Sequence, residues 1–267
     1  MPLLRVFRGA AVAALLSLHC RYPLSLLEPR VYAVEYGNSL YFSDLVNTSQ
    51  KDPYVRMSWL FYVIVSDSRT YLVDSGIANA SQAAQFRIED FRDPVAALKP
   101  LRIDAKSVTD IILTHSHVDH VGGISLFPDA VVYIQKEELD YFKTTKRFPD
   151  FAEVMESRRR RGKLKIVNGN VNLSRNVSLE RTAGHTPGSQ AVRVRFVQGE
   201  AIITGDECYF IDACRKKIAL PTDAAYSQQN NIAFIERIHN EKRLLTLHDP
   251  WITQNYLKQA PGIVQIY

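Results

Sequence analysis

The hydrophobic and polar positions of the chain first fall into short runs rich in β-branched and aromatic side chains. Residues 31–36, 59–66 and 70–73 predict strands, and Ser66-Asp67-Ser68 fits the hairpin turn between the last two. Val73-Asp74-Ser75-Gly76 ends a strand in a polar turn, and residues 81–98 carry a mostly helical pattern that Pro94 is expected to kink or restart. The order to this point is β, β, β, α. Residues 109–113 form a short apolar run bounded by polar residues, which predicts a buried strand. That strand delivers the chain into Thr114-His115-Ser116-His117-Val118-Asp119-His120, so the histidine cluster falls on a loop at a strand end, where a rigid sheet can hold a site. A strand at 131–134 and helices at 136–142 and 151–158 follow. The second half predicts strands at 165–167, 177–181, 191–197 and 201–204, a helix at 229–240, and a strand at 243–246 that leads into His248-Asp249-Pro250. No repeat, low-complexity tract or linker interrupts this order, so groups scattered from 115 to 248 have to converge within one fold.

Composition narrows the class. The 267 residues, 46% hydrophobic and 23% charged, are enough for one domain with a real core. A net charge of +5 would permit nucleic acid or an acidic surface as partner. The dense run Arg158-Arg159-Arg160-Arg161 reads, however, as a solvated helix end near the carbonyl pole, and no nucleic-acid function is built on it. Cysteines 20, 208 and 214 make no Cys-x-x-Cys metal pair and leave an odd thiol even if two of them bridge, so stability is assigned to the core. At the N-terminus Arg5 and Arg8 precede an apolar run at 10–18 and then Cys20, a pattern closer to a secretory leader than to a membrane span of about twenty apolar residues. No small-x-small cleavage site follows, and His19 before Cys20 makes a poor lipoprotein box. The expectation is a leader over residues 1–30, a single body over 31–267, and export or membrane attachment through the leader. The alternative is a cytoplasmic chain with an amphipathic N-terminal helix.

The chemistry concentrates after residue 114. His115 and His117 are one residue apart, so on an extended loop they point to the same side and can grip one ion. Asp119 and His120 follow at once, and a turn eased by Gly122 and Gly123 can aim them at a second ion. Zinc and similar borderline metals take neutral imidazole and carboxylate ligands of this kind. Four potential ligands within six residues, using three of only seven histidines, are hard to read as ordinary surface. Further candidates come at strand ends and turns: His185 in Thr182-Ala183-Gly184-His185-Thr186-Pro187-Gly188, Asp206 after Ile203-Thr204-Gly205, and His248 after Leu247. No Gly-x-Ser-x-Gly motif is present to suggest a serine nucleophile.

In this order, His-x-His-x-Asp-His, Gly-His-Thr-Pro-Gly, Gly-Asp and His-Asp, the chain resembles the metallo-β-lactamase superfamily over about residues 31–251. The resemblance implies an α/β fold, an αββα sandwich of two mixed sheets face to face with helices outside and a dinuclear site along one edge. It implies that His115, His117 and His185 hold a first metal, that Asp119, His120 and His248 hold a second, and that Asp206 bridges them. The ions implied are two zincs, with other divalent metals possible. His19 and His239 match nothing in the pattern. Two such cations about 3.5 to 4 Å apart lower the pKa of a bridging water to near neutrality and polarise the substrate, so a metal-bridging hydroxide serves as nucleophile.

Tyr209, in Gly205-Asp206-Glu207-Cys208-Tyr209, narrows the resemblance to the N-acyl homoserine lactone lactonases, as does the 65-residue step from His120 to His185. The implied activity is opening of the lactone ring, which is quorum quenching. Tyr209 would donate to the oxyanion, and Asp119 would return a proton to the leaving alkoxide. Leu247 departs from the pattern where glycine is usual, and residues 210–228 match no segment of it. Trp59, Phe61 and Tyr62 lie on a strand that either borders the acyl pocket or packs the core. A glyoxalase-II-like thioesterase is the alternative, but it calls for a basic glutathione-binding set near the C-terminus, and residues 254–267 hold only Lys258. A ribonuclease of the same fold calls for a tRNA-clamping arm that is not found, and the bridging aspartate argues against antibiotic degradation. A non-catalytic sensor or metal-binding module that kept the fold is a further alternative, against which stands the full ligand set, costly to retain without a charged ion to neutralise Asp119 and Asp206. The expected partner is a small-molecule lactone or ester, with no nucleic acid, and with a membrane only through the leader.

Overall fold

In the computed structural model, which describes residues 28–145 and 149–267, three strands open the chain as an antiparallel meander: β1 (Arg30–Phe42), β2 (Tyr54–Ser66) and β3 (Arg69–Val73). The expected leader, with His19 and Cys20, lies outside the described residues apart from 28–30. Asp67 and Ser68 both take left-handed φ, at 50° and 62°, the conformation that a two-residue hairpin needs to match strand twist. β4 (Asp110–Ile112), β5 (Val131–Gln135) and β6 (Leu164–Val167) then add in parallel beyond β3. On the other edge β13 (Ile263–Gln265) pairs against β1 and β12 (Leu257–Ala260) against β13, completing an eight-stranded sheet in the order β12-β13-β1-β2-β3-β4-β5-β6. A second sheet, ordered β11-β10-β9-β8-β7, is built from β7 (Val171–Asn172), β8 (Val177–Arg181), β9 (Gln190–Phe196), β10 (Gly199–Ile203) and β11 (Leu244–Leu245).

Period-two alternation decides the layers. Val31, Ala33, Leu60, Tyr62, Ile64, Val73 and Ile112 point inward and meet Leu179, Val192, Val194, Ile203 and Leu245 of the second sheet. The intervening positions Val34, Phe61, Val63, Leu72, Ile111 and Val132 point outward, where α2 (Pro94–Leu98), α4 (Lys136–Thr145) and α5 (Pro149–Arg160) cover them through Leu98, Leu139, Phe142 and Met155. On the far side Ala191, Ile202 and Leu244 pack under Phe234, Ile235 and Ile238 of α7 (Gln228–Ile238). The layers are therefore helix, sheet, sheet, helix. The Tyr62 hydroxyl crosses between the sheets to the Thr246 carbonyl at 2.6 Å.

One expectation holds with a longer break than foreseen, since the helix restarts at Pro94, and one changes. The helical pattern over 81–98 is two short helices, α1 (Ala80–Gln85) and α2, because Arg87 and Asp90 take φ of 53° and Glu89 leaves to pair with Asn38 of β1. Pro94 begins the second helix, with Asp93 capping the Ala96 N–H at 3.0 Å. The run at 158–161 is not wholly solvated: Arg158 is buried, and its guanidinium donates to the carbonyls of Ile124, Phe127, Pro128 and Ala130 at 2.8 to 2.9 Å. The physical reason is that the last turn of a helix packed on a sheet still has an inner face, and Arg158 falls on it. Cys208 and Cys214 form a disulfide, with Cα atoms 5.8 Å apart. Among the described residues no helix is long and apolar enough to cross a membrane.

Candidate metal centre

The site lies where the two sheets meet, at the ends of β4, β8, β10 and β11. Asp74, directly after β3 and at φ 63°, is fully buried and organises the first ligand run. Its Oδ1 accepts from Thr114 N at 2.7 Å, and its Oδ2 accepts from Thr114 Oγ1 and from His120 Nδ1, each at 2.7 Å. His117 is the N-cap of α3 (Val118–Val121), so Asp119 and His120 project from a helical turn and not from a loop as the sequence suggested. Gly122 and Gly123 matter for closeness more than for softness: a Cβ on Gly123 would lie 2.1 Å from the Ser75 carbonyl.

The other ligand candidates arrive from the second sheet. His185 follows Ala183, which is at φ 53°, in the turn after β8. Asp206 sits in the tight turn Gly205–Glu207 after β10, with Gly205 at φ 58° against Thr114. Leu247 and His248 continue past β11 and pair with β2 through Leu60 N to Leu247 O and Ser58 N to His248 O, each 3.0 Å. The large side chain of Leu247, which stands where the resembled pattern has glycine, is absorbed by the intersheet core.

All seven residues singled out as ligands converge. His115 Nε2 and His185 Nε2 lie 2.9 and 3.0 Å from His117 Nδ1, and Asp206 Oδ2 is 3.7 Å from both of those Nε2 atoms. On the other side of Asp206, Oδ1 is 3.4 Å from His120 Nε2 and 3.3 Å from His248 Nε2, while Asp119 Oδ2 is 3.0 and 3.7 Å from the same two nitrogens. The result is two four-residue groups, His115/His117/His185/Asp206 and Asp119/His120/His248/Asp206, each with its donor atoms within 4.8 Å of one another.

The donors fit a pair of divalent cations. His120 Nε2, His248 Nε2 and Asp206 Oδ1 are buried without a hydrogen-bond partner, which is costly for polar atoms that face only each other. Outer partners fix the rings: Nδ1 of His120, His185 and His248 faces Asp74 Oδ2, the Ala224 carbonyl at 2.8 Å and the Ser58 carbonyl at 3.3 Å, leaving each Nε2 as the lone-pair atom that looks inward. Burial, helped by neighbouring imidazoles, lowers the pKa of His117 to about 3 and takes His115 well below its usual value, so both rings are neutral and able to ligate. Burial alone would raise Asp206 and Asp119, but the charge of His120, whose own pKa Asp119, Asp206 and Asp74 lift well above its usual value against burial, outweighs it with help from His248 and holds both carboxyls below the ordinary range. A cation bound there would take the place of the His120 Nε2 proton.

A cavity of about 360 Å³ opens over these groups. Its floor is His117, Asp119, His185, Asp206 and His248, and its wall is Tyr41, Leu45, Met57, Trp59, Phe86 and Tyr209. The Tyr209 ring stacks on His248 with centroids 5.1 Å apart and planes at 21°, and burial followed by the nearby Asp206 and Asp119 raises its pKa, so the phenol keeps its proton. Trp59 meets His248 edge-on at 5.1 Å and lines the cavity, whereas Phe61 and Tyr62 belong to the core. Residues 210–228, unmatched in sequence, supply Asp223 and Ala224 to the rim. Sequence reasoning passed over Asp74, Glu138 and Glu207, each a buried carboxylate that holds a ligand loop. The one signal for Asp74 and Glu207 was their position, directly after a strand and beside Asp206; nothing marked Glu138.

A model of the metallo-beta-lactamase superfamily matches residues 60–212. The chain belongs to the metallo-β-lactamase superfamily. Within it the chain is 29% identical over 181 residues to the N-acyl homoserine lactonase AttM of Azorhizobium caulinodans, covering 63% of this chain and 68% of that one. It is 28% identical over 180 residues to the AttM of Agrobacterium fabrum, covering 62% and 67%. Among solved structures a quorum-quenching N-acyl homoserine lactone lactonase superposes with a TM-score of 0.72 at 20% identity, over 88% of this chain and 98% of that one. An N-acyl homoserine lactone hydrolase with its product N-hexanoyl-L-homoserine gives 0.71 at 19%, over 84% and 95%. At these identities the structural likeness shows the fold alone.

Proposed function

We infer that this metal-dependent hydrolase of lactone esters carries two zinc ions and opens the ring of N-acyl homoserine lactones or closely related lactones. The observation that carries the reading is the pair of ligand groups sharing Asp206 on the floor of a cavity with an apolar wall. The relatives named as N-acyl homoserine lactonases support the substrate class. The first ion would be held by His115, His117 and His185, the second by Asp119, His120 and His248, with Asp206 between them. Imidazole and carboxylate donors suit zinc. Bound there, the cations would lower the pKa of water toward neutrality and polarise the ester carbonyl.

The chain's own groups account for the remaining steps. Tyr209, protonated and wedged against His248, donates a hydrogen bond to the oxygen that gains charge at the lactone carbonyl, a preorganised contribution of about 2 to 4 kcal/mol. Asp119, held ionised, accepts a proton and returns it to the ring oxygen as the ester bond breaks, and the Tyr36 hydroxyl steadies the Asp119 carbonyl at 3.1 Å. Tyr41, Leu45, Met57 and Phe86 form the apolar wall that takes the acyl chain. The product is a ring-opened hydroxy acid.

A hydrolysis panel of lactones, thioesters and phosphodiesters on zinc-loaded protein tests the reading. Lactones are expected to turn over fastest, Asp119→Asn to remove most activity, and Tyr209→Phe to lower kcat by about thirtyfold to a thousandfold. Glutathione thioesters outrunning every lactone would replace the lactonase with a thioesterase, and metal binding without any ester turnover would replace the enzyme with a binding module.

The same reading extends to location. The leader-like pattern at 5–20 and the Cys208–Cys214 disulfide both suit an oxidising compartment, so the protein acts outside the reducing cytoplasm. Cell fractionation with thiol alkylation checks this: a cytosolic protein with Cys208 and Cys214 freely alkylated would refute it.

A further inference from the structure

Two buried carboxylates outside the ligand set, Glu138 and Glu207, are in no ion pair among the described residues. Glu138, on α4, accepts at Oε1 from Ser116 N at 2.7 Å and Ser116 Oγ at 2.6 Å, and at Oε2 from Thr186 Oγ1 at 2.6 Å and Gly188 N at 3.0 Å. Glu207 accepts at Oε1 from Thr182 Oγ1 at 2.6 Å, Gly184 N at 3.0 Å, His185 N at 3.1 Å and Ser189 Oγ at 2.7 Å, and at Oε2 from Asn231 Nδ2 at 2.7 Å. Each residue is 1% exposed, and neither is in an ion pair among the described residues. A carboxylate so placed is tolerable only when donors saturate both oxygens. Here every donor except the Asn231 amide comes from the loop of His115 and His117 or from the loop of His185.

The donor set also shows why a neutral amide would not serve. Backbone N–H groups cannot reverse into acceptors, and Ser116 N faces one oxygen of Glu138 while Gly188 N faces the other. A glutamine there would always set its NH₂ against an N–H. At Glu207 the backbone of Gly184 and His185 holds Oε1. Asn231 presents its NH₂ to Oε2 because its own carbonyl oxygen is taken by Leu220 N at 2.9 Å. The glycines of Gly-His-Thr-Pro-Gly make these contacts possible. A Cβ on Gly184 would lie 2.1 Å from Glu207 Oε2, and one on Gly188 would lie 2.2 Å from Glu138 N. Outer support for the second group is separate: His120 leans on Asp74 and His248 on the Ser58 carbonyl.

We propose that Glu138 and Glu207 are positioning residues that lock His115, His117 and His185 into one ligand triangle, so that filling of the first metal position depends on them and filling of the second does not. This rests on the two-ion reading given above. The test uses the full metal-free chain titrated with cadmium and followed by cadmium NMR, with bound metal counted by elemental analysis. The wild-type chain is expected to take two equivalents and show two resonances, of which His117→Ala removes the one belonging to the first position. Glu138→Gln and Glu207→Gln are expected to weaken that same resonance's site by about tenfold to a hundredfold and to leave the other near its wild-type affinity. Ser116→Ala and Thr186→Val remove single hydroxyl donors while keeping the backbone donors, so they answer the question at smaller amplitude if the glutamine variants do not fold. A wild-type chain binding fewer than two equivalents would overturn the two-ion reading itself. Two equivalents in the wild type, with both positions weakened alike or neither weakened in the variants, would overturn this proposal alone.

Discussion

Arg158 shows how far a single residue can differ from the run in which it sits. Its neighbours Arg159 and Arg160 pair with Glu156 on the surface, while its own guanidinium closes four carbonyls of the segment that leaves α3. Arg158→Met keeps most of the buried stem and removes every one of those donors. Charge-assisted hydrogen bonds of this kind are worth about 1.5 to 3 kcal/mol each when one partner is left unpaired. The variant is therefore expected to lose about 3 kcal/mol or more, seen as a fall in Tm of about 6 to 12 °C; a shift within about 2 °C of wild type would mean that the four contacts carry little. Glycines give a second residue-level contrast. Gly169, at φ 72°, has nothing within 4 Å of the place a Cβ would take, so Gly169→Ala meets only the left-handed conformation, which costs about 1 to 2 kcal/mol. Gly188→Ala instead drives a Cβ into the Glu138 backbone and is expected to displace the His185 loop, with bound metal falling in elemental analysis while Gly169→Ala keeps its full complement. Equal metal content in the two variants would show that the Gly188 contact can relax.

At the scale of elements, the long β1–β2 hairpin does more than extend the sheet. A register shift between Glu35 and Gly37 bends it, and its far half carries Tyr41, Leu45, Met57 and Trp59 over the site, where Phe86 joins them because the chain leaves α1 for the left-handed turn at Arg87. Leu45 is 40% exposed at the cavity mouth, so a charge there costs the fold little, and under the proposed function it would cost the binding of an acyl chain much. Leu45→Asp is expected to lower kcat/KM for long-chain lactones by about tenfold and to leave the shortest chains nearly unchanged, since a few lost methylene contacts are worth about 1 to 3 kcal/mol. An equal fall for all chain lengths would place the chain elsewhere. The central strands were legible because β-branched and aromatic runs are buried on one or both faces. β7, β12 and the short helices α6 (Ile211–Arg215) and α8 (Trp251–Asn255) were not, being two to five residues long with little periodicity to read. The ligands were legible because chemistry restricts their residue types. Asp74, Glu138 and Glu207 were not, because a carboxylate that only accepts hydrogen bonds looks in sequence like any other acidic residue.

Across the whole molecule the seven ligand candidates are divided between the layers. His115, His117, Asp119 and His120 follow β4 of the large sheet, whereas His185, Asp206 and His248 follow β8, β10 and β11 of the small one. Ions bound between them would therefore tie one sheet to the other at the open end of the intersheet core, alongside the Tyr62 to Thr246 hydrogen bond. Without them, His120 Nε2, His248 Nε2 and Asp206 Oδ1 stay buried and unpaired, and Asp119 and Asp206 repel each other across the same space. Binding to the folded state alone stabilises by RT ln(1 + [L]/Kd), about 4 kcal/mol for each site at a thousandfold excess over Kd. Chelation is thus expected to lower Tm by about 8 to 16 °C per ion lost, reversibly on adding zinc. Hydrogen exchange should localise the loosening to the ligand loops and to the β2, β10 and β11 amides nearest them, while the helix-covered outer faces stay protected. An unchanged Tm with and without zinc, or loosening spread evenly over both sheets, would show that the sandwich holds its ends together without the ions.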